Sequence, residues 1–352
     1  MVHKKGAIQL NLFGEEADVL ESYENAEIPN ERSCNMVSSN LKDNFRKYDI
    51  PFIGCDFVSV YPLISRVVPK EKVLFSDFDT DTAIMCEIVC AAICHQINWD
   101  FLREVVYKYT KTEPDWILPH NLAIIDYRQV KSMLGTYHKI ENIKAKERAS
   151  ILQSLGKWSA HYQEIRDVFL DKSGALKPQK QVLTTLQKCQ VFSTDPEGKK
   201  MNLLLQKLGT IKELHGIDCY AKPAIDYHLL RLYLRRGLLF ARTKLALDYI
   251  SNPDIERKES TVAAVRELCS GLLSQISLFT GLSVAEVNNI EWHVARSVCQ
   301  REHPDCELNG EKAVWLRAEF KECPFRHTCM ACNSSAGELM FVKEPSYKGT
   351  SY

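Results

Sequence analysis

No excess of charge marks this chain: Lys plus Arg and Asp plus Glu each total 45, for a formal net charge of zero. That balance excludes a binder that works through bulk electrostatics and leaves any nucleic-acid contact to local clusters. Long apolar runs are missing too. No stretch approaches the roughly 18 uninterrupted apolar residues of a membrane span, so no membrane partner is expected. The opening MVHKKGAIQLNLFGEE has neither the apolar core nor the small-residue cleavage site of a secretory signal, and the expectation is a cytoplasmic protein. Strand-like alternation is scarce and no internal repeat is found, so an all-α body is expected.

At 352 residues with 45% hydrophobic side chains the chain can fill a real core. Its 13 cysteines are odd in number, which in a cytoplasmic setting points to thiols, with metal as their commonest special use. Cys86, Cys90 and Cys94 recur every fourth residue in an apolar segment and read as helix core. Basic residues gather at Lys144, Lys146 and Arg148, at Lys199 and Lys200, and at Arg231, Arg235, Arg236 and Arg242; a solvated face or DNA explains each equally.

Residues 1–45 read as a polar arm. Helical spacing then returns: Ile84 to Cys94 mark a buried helix running into His95, Gln96, Ile97, Asn98 and Trp99, and Phe101 to Tyr109 a second. Glu113-Pro114 and Leu118-Pro119 break the pattern, which resumes near Tyr127 to Leu134 and Ala145 to Trp158. Ser193-Thr194-Asp195-Pro196-Glu197-Gly198-Lys199-Lys200 is a turn between helices, able to aim backbone N–H groups at a phosphate or to serve as an inert loop. Ala221 to Ile225 is an extended approach to a helix that opens at Asp226 and stops at Gly237. Asp is also a preferred N-cap for purely local reasons.

Taken in order, four pieces resemble the endonuclease III, or helix-hairpin-helix, superfamily of DNA glycosylases over residues 80–332. They are Cys90 to Asn98, Tyr137 to Ser150, the Pro196 to Leu205 hairpin with Ala224 to Arg231, and the cysteine-rich region from Cys299. Cys299-x6-Cys306 and Cys323-x5-Cys329 match the outer spacings of that family's iron–sulfur loop, with a middle gap grown to 16 residues. The family's Leu-Pro-Gly-Val-Gly turn is here Asp-Pro-Glu-Gly, and Gly209 to Tyr220 is an apparent insertion.

The resemblance implies a two-lobed helical fold with a C-terminal metal-cluster loop, divided as an arm (1–45), a barrel lobe with the hairpin (46–240), a cysteine-bearing lobe (241–335) and a tail (336–352). It implies a monomeric, nucleoid-associated bacterial enzyme that flips a modified or damaged base out of duplex DNA and cuts its N-glycosidic bond. Asp226 would be the catalytic carboxylate, and Lys200 a Schiff-base lysine adding lyase activity or else a phosphate ligand. Gln96 or His95 would fill the gap left by the base, Trp99, Trp116 or Tyr227 would stack on it, and Gly198, Lys199 and Arg231 would touch DNA. Cys299, Cys306, Cys323 and Cys329 would hold a [4Fe–4S] cluster, with Cys332 as an alternative ligand and zinc as an alternative metal. The arm's Gln9, Leu10, Asn11, Leu12 and Phe13 resemble the peptide that docks repair proteins on the bacterial sliding clamp. Two other functions stay open: a nucleoside or nucleotide N-glycosidase, and a non-catalytic, metal-stapled DNA-binding adaptor.

Overall fold

The computed structural model describes residues 45–47, 55–70, 73–195, 198–252, 257, 259–333 and 342–344. The arm with its QLNLF peptide, and Pro196 and Glu197 in the turn, lie outside the described residues. The body is predominantly helical. Its longer helices are α1 (Cys55–Val67), α2 (Thr80–Ile93), α3 (Trp99–Thr112), α4 (Tyr127–Leu134), α5 (Ala145–Ser159), α6 (Gln179–Gln187), α7 (Lys199–Leu208), α8 (Tyr227–Arg236), α9 (Lys244–Ser251), α10 (Glu259–Thr280) and α11 (Val284–Ser297). One feature was not expected of an all-α chain. Phe45–Lys47 pairs antiparallel with Leu239–Ala241, Phe45 opposite Ala241, just after α8 ends.

The side chains form two cores, one drawn from Phe75 to Ala221 and the other from Tyr61 and Ile64 together with Ile225 to Val342. In sequence the cores part between Ala221 and Ile225, and α1 joins the C-terminal core rather than its sequence neighbours. At the centre of the first core is α2. Asp79 caps it by accepting from the Thr82 N–H at 3.0 Å, and every residue from Ala83 to Ile93 is buried. Such a helix is buried on all sides because α3, α5 and α7 pack around it, its one interior charge, Glu87, paired with Arg103 of α3. Cys86 and Cys90 lie within it as core, as read from their spacing.

Local chemistry sets the boundaries. Asn98 caps α3, Asp126 caps α4 with a reciprocal Gln129 bond, and Ser283 does the same for α11 with Glu286. In α10, the one described helix long and apolar enough to cross a membrane, Val262, Val265, Cys269, Leu272, Leu273 and Ile276 form a helical stripe buried in the second core. The apparent insertion is not loose: two 3-10 turns, Lys212–Leu214 and Ile217–Tyr220, bury Leu214 and Ile217 in the first core.

Gly156 shows how tightly that core is built. A Cβ there would sit 2.3 Å from the Ala123 nitrogen and 2.7 Å from both the Leu122 carbonyl carbon and the Pro119 oxygen. These are backbone atoms that cannot step aside. Gly156→Ala is expected to cost about 3 kcal/mol, read as a lower denaturant midpoint at unchanged slope; an unchanged midpoint would show that the Pro119–Leu122 segment does not press on α5.

Candidate active site

Asp226 sits where the two cores meet, and the chain leading to it is clipped from both sides. From α7, Asn202 Oδ1 accepts the Lys222 N–H at 2.9 Å, and from α11, Asn288 Oδ1 accepts the Ala224 N–H at 2.7 Å. Pro223 between them keeps the approach extended. The half-buried Asp226 then caps α8, one carboxylate oxygen accepting from the Leu229 N–H at 3.1 Å and the other from the Trp292 indole N–H at 3.1 Å. A simple N-cap needs only the first of these bonds. The second fixes the carboxylate plane from another helix.

The surroundings are polar and aromatic. Arg296 lies over the Trp292 ring, 4.8 Å from its centroid, and bridges to Asp100 on α3 at 2.9 Å, linking the two cores beside Asp226. Tyr227 is half-buried and its ring lies 4.1 Å from that of His228; burial, then the neighbouring Asp226, pushes its hydroxyl up to about 12. His228 Nδ1 faces Arg231 Nη2 at 3.0 Å, which suits a neutral, accepting imidazole. Trp99 lies half-buried with the Lys207 ammonium over its ring, whereas Trp116 is core, its indole N–H bonded to Thr110.

Several residues expected at a DNA face are turned inward. Lys200 is only 3% exposed; its Nζ donates to the Ala92 carbonyl at 2.9 Å, and burial lowers its affinity for the proton. Asp226 and Lys200 are thus not joined by a hydrogen bond or ion pair among the described residues. The hairpin closes on Asp195, whose backbone oxygen takes the Gly198 N–H at 2.9 Å and whose carboxylate takes the Lys200 N–H at 2.6 Å. An internal carboxylate therefore meets the start of α7, where a phosphate was expected. Lys199 is half-buried on that turn. His95 is 1% exposed and packed beside Glu147, its Nε2 3.2 Å from Oε1, an interior position rather than a surface one. Gln96 is different. It is half-exposed in the left-handed region at φ 55, in a loop pinned by Arg148 to the His95 carbonyl and by Tyr137 to the Asn98 N–H.

Arg231 is likewise interior, 1% exposed. It donates to the Cys299 and Ala295 carbonyls at 2.9 and 3.1 Å and pairs with Glu344 at 2.7 Å, leaving nothing for a phosphate. One helical turn on, Arg235 donates to the carbonyls of Val342, Gln300 and Arg301 and to the Cys299 sulfur at 3.6 Å. These arginines carry the cysteine loop on the C-terminal half of α8. Met330 fits against Gly237, where a Cβ would meet its sulfur at 1.9 Å.

In the loop, Cys323 and Cys329 are buried and Cys299, Cys306 and Cys332 half-buried. Burial pushes the Cys323 thiol up to about 12; its bond to Cys306, then burial, pushes Cys332 up to about 11. The donor set is soft sulfur with an arginine N–H aimed at one member, which suits a thiophilic metal or iron–sulfur cluster. Among the described residues no group of three or more His, Cys, Asp or Glu side chains is gathered as a metal site. The network around Asp195, Trp292 and the arginines was not read from the sequence; the 231, 235, 236 spacing, one face of a helix between leucines, was the available signal.

No family model matches the chain, and neither does any curated protein.

Two histidines, His95 in the interior and the half-buried His228, generate a pH dependence. Burial pushes His95 down to about 2 and His228 down to about 4, against an ordinary value near 6.5. The unfolded chain accepts protons that the folded chain refuses, so this stability is complete above about pH 6.5 and is lost as pH falls toward 4. The melting temperature should drop across that window, and His228→Asn, which keeps an acceptor for Arg231, should drop less; identical curves would remove His228 from the account.

Proposed function

We propose that this protein is a DNA N-glycosylase of the helix-hairpin-helix class, with Asp226 as the carboxylate that stabilises charge on the sugar. The observation that carries this reading is a carboxylate at the seam of two cores, held by Leu229 from its own helix and by Trp292 from another. Breaking an N-glycosidic bond builds positive charge at the sugar carbon, and a fixed, half-buried anion beside that carbon lowers the barrier without having to reorganise. The extruded base would enter the seam, with Gln96 closing the gap in the duplex. Trp292 is a positioning residue. Its indole N–H keeps one oxygen from rotating away.

Lys200 fits this scheme as a structural lysine, because its amine is spent on Ala92. Water is then the nucleophile, and the product is an intact strand carrying an abasic site. Cys299, Cys306, Cys323 and Cys329 would hold a [4Fe–4S] cluster that fixes the loop against α8, with zinc as the alternative. The sliding clamp remains a proposed partner of Gln9, Leu10, Leu12 and Phe13. The hairpin's closure on Asp195 favours one second reading, a nucleoside N-glycosidase that needs no grip on a DNA backbone.

The test is a panel of modified duplexes and of the matching free nucleosides. A duplex substrate should yield abasic sites, cut only after alkali, and borohydride should trap no adduct. Asp226→Asn should bind as wild type but excise at least about 100-fold more slowly, and Trp292→Phe about tenfold more slowly at unchanged binding. Turnover of the nucleoside alone would select the second reading; full activity in Asp226→Asn would remove the enzyme altogether. Anaerobically purified protein should be brown with about four irons per chain, whereas colourless protein with stoichiometric zinc would replace the cluster.

A further inference from the structure

The cysteine loop has one sulfur more than a four-ligand centre requires. If Cys299, Cys306, Cys323 and Cys329 serve, Cys332 is surplus, yet its Sγ lies 3.7 Å from that of Cys306. A disulfide needs about 2.0 Å between sulfurs, so closure asks for a shift under about 2 Å. Cys299 is half-buried as well, but Cys306 and Cys332 are the two that open on a cleft. Both are half-buried and both line an open cleft of about 390 Å³ shared with Pro304, Asp305, Glu307 and Arg326. Cys329 also meets Cys332, but its sulfur is buried and turned toward the Arg235 carbonyl at 3.6 Å.

We propose that Cys306 and Cys332 form a redox-active dithiol at the rim of the cysteine loop, closing to a disulfide under peroxide when the metal centre releases Cys306. The steps balance. The Cys332 sulfur attacks one peroxide oxygen, the O–O bond breaks, and Cys332 becomes a sulfenic acid as water or an alcohol leaves. The Cys306 sulfur then displaces the sulfenic oxygen as a second water, so two thiol protons and two electrons pass to the peroxide and one S–S bond forms. Ligation and disulfide are exclusive at Cys306. Oxidation would thus withdraw one ligand while a covalent link keeps the 299–310 segment joined to the short Met330–Asn333 helix. This inference stands on thiol geometry and does not depend on the glycosylase reading.

The experiment uses the full-length chain, wild type and Cys332→Ser, purified anaerobically, assayed for iron and zinc, and exposed to hydrogen peroxide with and without prior chelation. Non-reducing peptide mapping should show a Cys306–Cys332 cross-link with loss of about 2 Da in chelated, oxidised wild type, and far less in unchelated protein. Cys332→Ser should show no cross-link while keeping the wild-type metal content. A cross-link between other cysteines, or none, would overturn the proposal, as would loss of metal from Cys332→Ser, which would make Cys332 a ligand. Where the wild type carries no metal, the cross-link alone decides.

Discussion

Arg231, Arg235 and Arg236 project from one face of α8 into the interior of the second core, each exposed by 3% or less. Burying a guanidinium costs several kcal/mol unless its donors are filled. Here they take the carbonyls of Ala295, Cys299, Gln300, Arg301 and Val342 and the carboxylates of Glu344 and Glu291. Most of those carbonyls belong to the segment that opens the cysteine loop. The loop is therefore seated by the helix beneath it, and the same helix begins at Asp226. At 1.5 Å per residue, a helix of ten residues spans about 15 Å, so the candidate catalytic group and the candidate metal centre occupy two ends of one rigid rod.

Arg236 makes the second anchor of that rod. It pairs with Glu291, which is fully buried and also accepts from Tyr61 at 2.5 Å and from Tyr233, and it stacks on Phe325 between Cys323 and Cys329, 3.7 Å from the ring centroid. Burial raises the Glu291 carboxyl against the pull of Arg236, and two tyrosine hydroxyls and a guanidinium offset that cost. Such a set is strongly destabilised when one member is removed, because the others stay buried without a partner. Since Tyr61 comes from α1, the network also explains why that helix leaves its sequence neighbours for the C-terminal core.

The helices were largely legible in the sequence because their signals are local. Apolar spacing marks α2 and α3, Glu113-Pro114 and Leu118-Pro119 end a helical run, and Asp226 and Gly237 bound α8. Side-chain direction was not legible. Arg148, Lys200 and Arg231 stand in basic clusters that look solvent-facing, yet each is turned inward to fill carbonyls at helix ends and loops, and that choice depends on distant partners. The 66 residues between Asp226 and Trp292 hide their bond from any spacing argument. The turn at Asp195 differs again: its residues suited a phosphate cradle or an inert loop alike, and Asp195 itself supplies the anion.

The seam has consequences for how the site works. Asp226 opens α8 of the second core, and the approach that leads to it is held by Asn202 from α7 and Asn288 from α11. Asn202 holds Lys222 through one neutral hydrogen bond and Asn288 holds Ala224 through two, each worth about 1 kcal/mol net, and the Arg296–Asp100 bridge is exposed enough to add little. The cores are firm while the links across the seam are individually weak. On the proposed glycosylase reading, that division would suit a site that admits an extruded nucleotide. The start of α8 and the indole of Trp292 hold the carboxylate from two helices, independently of the polar contacts that link the cores.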